Sequence, residues 1–293
     1  VKVLNTLRRN GWNAGHLVAL LVLLAAGLIV TWDAWKDIFT KAMRDEESSH
    51  ILLVPIVAVW LVWVRRARLR QCRPVGTWAG PVVVALGWLV SWYGYNNSHQ
   101  SLWHGGSLLV MLGCFVTVAG LPVVRALAPA FIVLVFLVPV PGMVRQRIAI
   151  PLQTATAEVT HQVFEVAGMD VPRSGNLLSI NGVEVGIAEA CNGMRMVFAL
   201  VLVSYAFAFS SPLRWYVRGI ILLASPISAI ACNVGRLIPT VWLHGYASRQ
   251  TADTFHNVSG WAMLVVAFLL LFAILRALRW ALVPLTRYTL AYD

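Results

Sequence analysis

The sequence predicts an all-α polytopic membrane protein of about eight transmembrane helices, with an outer interfacial amphipathic helix and a small β-hairpin. Three observations carry this. Of the 293 residues, 59% are hydrophobic and only 12% charged, whereas a soluble domain carries about 45–50% and about 25%. The mean hydropathy is +0.74, more apolar surface than one globule can hide. The apolar residues also gather into runs near the ~20 residues that a bilayer core requires, with basic residues concentrated between alternate runs.

The chain reads as a single integral membrane domain, 1–293. The first span, about 16–32, opens near Leu17 and lacks a small-residue cleavage site, so it is expected to be retained. A second, about 50–64, is closed by Arg65, Arg66, Arg68, Arg70 and Arg73. Three more follow at about 78–95, 103–120 and 126–141, rimmed by tryptophan and tyrosine of the kind that anchors helices at the interface. An outer segment, 142–193, is not a span. Within 143–167, Ile148, Leu152, Ala155, Val159, Val163 and Val166 recur at helical spacing, with Arg147, Thr154, Glu158 and Gln162 elsewhere on the wheel. That pattern predicts an amphipathic helix lying in the interface. "LLSINGVEV" alternates apolar and polar residues around Asn181-Gly182, the favoured two-residue hairpin turn. The last three spans are about 194–210, 217–236 and 258–275.

Sidedness follows from the Lys/Arg count. With a cytoplasmic N-terminus, the inner loops hold Lys2, Arg8, Arg9, the five arginines from Arg65 to Arg73, Arg125, Arg214, Arg218, Arg276, Arg279 and Arg287, fourteen of the 23 basic residues, with Asp293 their only acid. Both termini are therefore expected in the cytoplasm, with 142–193 on the outer side of the membrane. The four cysteines show no Cys/His spacing for zinc, His99 and His104 have no carboxylate at ligand spacing, and no cofactor, metal or nucleic-acid partner is called for.

This topology collects three reactive side chains on the outer side: Cys191 at the mouth of the sixth span, Arg236 at the end of the seventh, and His256 just before the eighth. A thiol reacts as thiolate and is acidified near a helix N-terminus. Asn192-Gly193 turns the chain so that a helix starts directly after Cys191. His256 is placed to take the thiol proton and return it to a leaving amine. Arg236 stays protonated, and its planar fork suits an oxyanion. Glu189 and Asp253 are candidates for orienting His256, Asn233 lies one turn before Arg236, and Pro226 is placed to kink the seventh span. Cys232 reads as a small packing residue.

"EACNGMR", "NVGR" and "HNVSGW" resemble the three signature segments of the exosortase/archaeosortase family of integral membrane transpeptidases. "SSHILLVPIVAVWLVW" is similar, more loosely, to that family's second-span segment and brings in His50, though Ile51 follows where glycine is common. Asn192 stands where many members carry Ser or Thr. The resemblance implies that Cys191 is the nucleophile, His256 the general acid/base and Arg236 the transition-state stabiliser. It further implies secreted protein substrates bearing a C-terminal Pro-Glu-Pro-like (PEP-CTERM) motif, a membrane helix and a basic tail. They would be cleaved through a thioester at the extracytoplasmic face and passed to an unknown acceptor nucleophile. Two other classes fit the composition: a multi-span transporter, which would place charge at mid-membrane and show internal repeats, and a non-catalytic scaffold for envelope polysaccharide assembly.

Overall fold

The computed structural model describes residues 11–69, 71–187 and 193–280, and its chain divides after Pro141 into two compact units. The first opens with α1 (Ala14–Val30), capped by Asn13, whose side chain accepts from the His16 N–H. The chain then bends by 75° into α2 (Trp32–Arg44). Thr31 makes the corner: its hydroxyl donates back to Gly27 O at 2.7 Å and accepts from Trp35 Nε1 at 3.0 Å. Ala34, Trp35, Ile38 and Ala42 form the buried stripe of α2. A 3₁₀ segment, Glu46–Leu52, leads into α3 (Leu53–Val64). Beyond the arginine run come α4 (Ala79–Asn96) and α5 (Gln100–Ala126), followed by α6 (Ala128–Val133) and a 3₁₀ turn, Leu134–Leu137.

The pairing of α4 with α5 is the tightest feature of this unit. Gly80, Gly87 and Gly94 recur every seven residues on α4, and Gly106 and Gly113 do so on α5. A Cβ on Gly87 would stand 2.7 Å from Val110 N, one on Gly94 2.3 Å from Trp103 N, and one on Gly106 2.3 Å from Ser91 N. The two main chains therefore touch without an intervening side-chain layer, the close approach that small residues permit between membrane helices. Ser91 and Ser107 hydroxyls meet at 3.1 Å inside the seam. Gly120 ends the regular part of α5 with φ 79°, a left-handed conformation suited to glycine. Near the other end, the wholly buried His104 places Nε2 3.0 Å from Asp37 Oδ2 of α2.

The second unit begins with α7 (Gly142–Val166), the helix expected at the interface. Its packed face is not the one that hydropathy picks out. Thr156, Ala157, Thr160 and Phe164 are buried, whereas Ile148, Val159, Val163 and Val166 are exposed, Val166 at 91%. Two unlike stripes thus coexist, a small one packed on protein and an aliphatic one left bare. A three-stranded antiparallel sheet follows: β1 (Arg173–Ser174), β2 (Leu177–Ile180) and β3 (Val183–Gly186). The expected hairpin is present. Ile180 pairs with Val183, and Asn181 and Gly182 adopt φ 49° and 76°, both positive as a type I′ turn demands. Strand β1, which the alternation did not foretell, adds to its far side.

Three long helices complete this unit: α8 (Gly193–Ser210), α9 (Trp215–Tyr246) and α10 (Arg249–Trp280). Leu178, Ile180, Val185 and Ile187 of the sheet segment share one core with Ala157 and Phe164 of α7 and Leu237 and Val241 of α9. A second cluster joins Met196 and Leu200 of α8 to Ala229 and Cys232 of α9, with Met263 of α10 packed against it.

All eight segments expected as spans are helical in their cores. Among the described residues, length and composition qualify two helices to cross a bilayer, Gln100–Ala119 and Trp215–Tyr246, or up to four if each bent pair counts as one. The first span stops at Val30, and the fifth is made of α6 and the 3₁₀ turn that ends at Leu137.

Candidate active site on helix α9

Helix α9 runs 32 residues, ten beyond the end expected at Arg236. Arg236 is thus an interior residue, about 15 Å short of the C-terminal end at 1.5 Å per residue. Two prolines shape the helix. Pro226 leaves the Leu222 carbonyl without its helical donor, and Ser225 Oγ supplies one at 3.1 Å. Pro239 likewise returns no N–H to Gly235 O, directly beside Arg236.

Asn233 and Arg236 are 4% and 5% exposed, and Arg236 Nη2 donates to Asn233 Oδ1 at 3.2 Å. Arg236 Nε is buried with no hydrogen-bond partner among the described residues, and no described carboxylate pairs with the guanidinium. Among the described residues this buried cation holds one neutral amide, and removing such a charge from water costs several kcal/mol unless it is paired. Among the described residues the guanidinium therefore has Asn233 as its one side-chain partner.

The ladder continues along one face. Thr240 Oγ1 donates to Arg236 O at 2.8 Å, and His244 Nδ1 lies 2.8 Å from Thr240 O. His244 Nε2 stands 3.7 Å from Asp253 Oδ1 across the α9–α10 corner. Asp253, read from the sequence as a partner for His256, therefore faces His244. That pairing was missed although the spacing Arg236, Thr240, His244 is helical, because Pro239 interrupts it and looks like a terminus. His256 itself is not a loop residue: it falls on the third turn of α10, since the helix starts at Arg249 and not after the "HNVSGW" segment.

Gly193 is the first residue of α8. Glu189, Cys191 and Asn192 lie outside the described residues, but the chain on either side of them is fixed to α9. On the upstream side Ile187, 1% exposed, is in the cluster with Leu237 and Val241. On the downstream side Met196 is in the cluster with Ala229 and Cys232. These attachments bracket Arg236. Cys232 is buried one turn before Arg236 and packs as a small residue, as its spacing suggested. His50 is buried in the 3₁₀ segment of the first unit. No group of three His, Cys, Asp or Glu able to hold a metal ion occurs among the described residues.

Long apolar helices, main-chain contact between helices and a buried arginine define a helical integral membrane protein. Residues 35–273 match the family model described as transmembrane exosortase, which covers most of the chain. The chain belongs to the transmembrane exosortase family. Neither a curated protein nor a solved structure matches it.

Proposed function

We propose that this chain is a cysteine transpeptidase of the extracytoplasmic face of a prokaryotic plasma membrane, crossing it about eight times with both termini inside. Its substrates are secreted proteins ending in a PEP-CTERM-like motif, a membrane helix and a basic tail. Cys191 Sγ attacks the carbonyl carbon of a peptide bond beside that motif, and His256 accepts the thiol proton. Arg236 N–H groups hold the oxyanion. As the C–N bond breaks, His256 gives its proton to the departing amine, leaving a thioester on Cys191 and freeing helix and tail. An acceptor amine or water then attacks the thioester, its proton passes to His256, and the thiol is restored.

The observation that supports this reading best is Arg236, buried, holding Asn233 as its one side-chain partner among the described residues, and bracketed by the anchors at Ile187 and Met196. The α9–α10 hairpin supports a role for His256. Met263 packs with the cluster that holds Cys232, and in an antiparallel hairpin that register sets residue 256 at about the height of Pro239, which is one turn along the axis from Arg236.

The test is co-expression of a substrate bearing such a tail with wild type, Cys191→Ala and His256→Ala, following tail removal on a gel. Loss of processing in both, with a substrate-sized thioester trapped on the His256→Ala protein, is the expected result. Undiminished processing by Cys191→Ala overturns the proposal.

A further inference from the structure

Among the described residues, strand β3 carries an unused edge. Its two-residue turn makes Ile180 and Val183 a hydrogen-bonded pair, so the main-chain groups of Val183 and Val185 point toward β2. The alternation is checked by the residue that follows, since Ile187 N–H donates to Asn176 O at 2.9 Å. Strand β2 is used on both sides, Ser179 N–H donating to Pro172 O at 2.9 Å. By the same alternation the N–H and C=O of Glu184 and Gly186 point away from the sheet, and the described residues place no strand beside them. Val183 is 41% exposed and Glu184 is exposed, while Val185 is buried in the core beneath.

An open edge is a template for another extended chain. Most proteins blunt it with proline, a bulge or a cover. Here the strand carries one glutamate, and in the sequence Cys191 follows five residues after Gly186. Five residues span at most about 18 Å. A peptide laid along β3 therefore has its bonds within reach of that segment.

We infer that the β3 edge is a docking strand, and that its occupant is the extended segment of the substrate just outside its membrane helix, which pairs main chain to main chain with Glu184 and Gly186. This rests on the peptidase reading above and supplies its recognition step. A scissile amide must be drawn out of helix and turn before a thiol can approach it. Strand addition does this with backbone hydrogen bonds and leaves alternate side chains for selectivity. The edge makes few contacts, which suits an enzyme that must release its product.

Two experiments test it. The first places p-benzoylphenylalanine at position 184, and at the exposed Val166 as a control, in the full-length Cys191→Ala protein co-expressed with substrate, and irradiates the membranes. A substrate adduct from position 184 and none from 166 is expected. An adduct with a second copy of this chain, or none from 184, overturns the inference. The second compares Glu184→Pro, which removes the outward N–H, with Glu184→Ala, which keeps it. The proline variant should lose about tenfold in kcat/KM, mainly through KM, and the alanine variant less than twofold. Equal activity of the two overturns the inference. Melting temperature and the rate of Cys191 alkylation confirm that each variant is folded, and if the proline variant is not, the crosslink decides. Processing that survives Cys191→Ala removes the peptidase reading itself, whereas Cys191-dependent processing indifferent to Glu184→Pro removes only the docking strand.

Discussion

Arg236 reaches back one helical turn and donates from Nη2 to Asn233 Oδ1, both side chains being buried within α9. The amide fixes the plane of the fork without neutralising it. A carboxylate at position 233 would have paired with the positive charge, whereas the asparagine amide is neutral.

Replacing Arg236 by lysine keeps a charge and loses the fork. Processing is expected to fall about 10²–10³-fold, the usual cost of one oxyanion donor. Asn233→Ala should have a smaller effect on kcat and little on KM, because it frees the guanidinium without removing it. Single-turnover kinetics on purified protein separates the two.

The hairpin is held to the end of α9 by Asn181 Nδ2, which donates to Gly245 O at 3.0 Å, and by the absence of a side chain on Gly245. A Cβ there would lie 2.8 Å from the Ile180 side chain. Gly245→Val is expected to push the hairpin off α9 and to lower processing more than stability, read as a loss of turnover at a melting temperature within a few degrees of wild type.

In the first unit, Gly106→Val places branched carbons against Ser91 and Gly87 main chain. Overpacking of this kind costs about 1–3 kcal/mol or more where backbone must move. Thermal unfolding in detergent should show a clear drop, while Gly105→Val, whose Cβ meets only Val138 at 4.0 Å, should be nearly neutral.

Orientation is open to direct measurement. Single cysteines at Ser179 and at Arg66, in a protein otherwise free of thiols, should react with a membrane-impermeant maleimide from outside the cell in the first case and only after lysis in the second. Reversal of that pattern contradicts the proposed topology.

Parts of this fold were legible in the sequence for physical reasons. Asn181-Gly182 announces its turn because few residues tolerate positive φ, and the cores of the apolar runs are helical because buried backbone has no other way to satisfy itself. The end of α9 was not legible. A charge at Arg236 followed by Pro239 looks like a terminus, yet the helix continues to Tyr246 because Leu237 and Val241 have the sheet to pack on. The apolar stripe of α7 was legible, and its second, protein-packed face was not, because Thr160 satisfies its hydroxyl on Thr156 O at 2.8 Å and packs as a small side chain that hydropathy does not score. The seven-residue glycine spacing lay unnoticed within runs scored only for apolarity. At the site, the one-turn spacing of Asn233 and Arg236 was readable, but the pairing of Asp253 with His244 was not, since it depends on where α10 begins.

Helices in main-chain contact at Gly80, Gly87, Gly94, Gly106 and Gly113 are caught at five notches together. Sliding one past the other by a residue drives a side chain into backbone at every notch, and the next seat that restores the fit is a heptad away, about 10 Å along the axis. Piston-like travel between α4 and α5 is thereby forbidden. When the surrounding bilayer thins or thickens, these two helices must lean as a single beam.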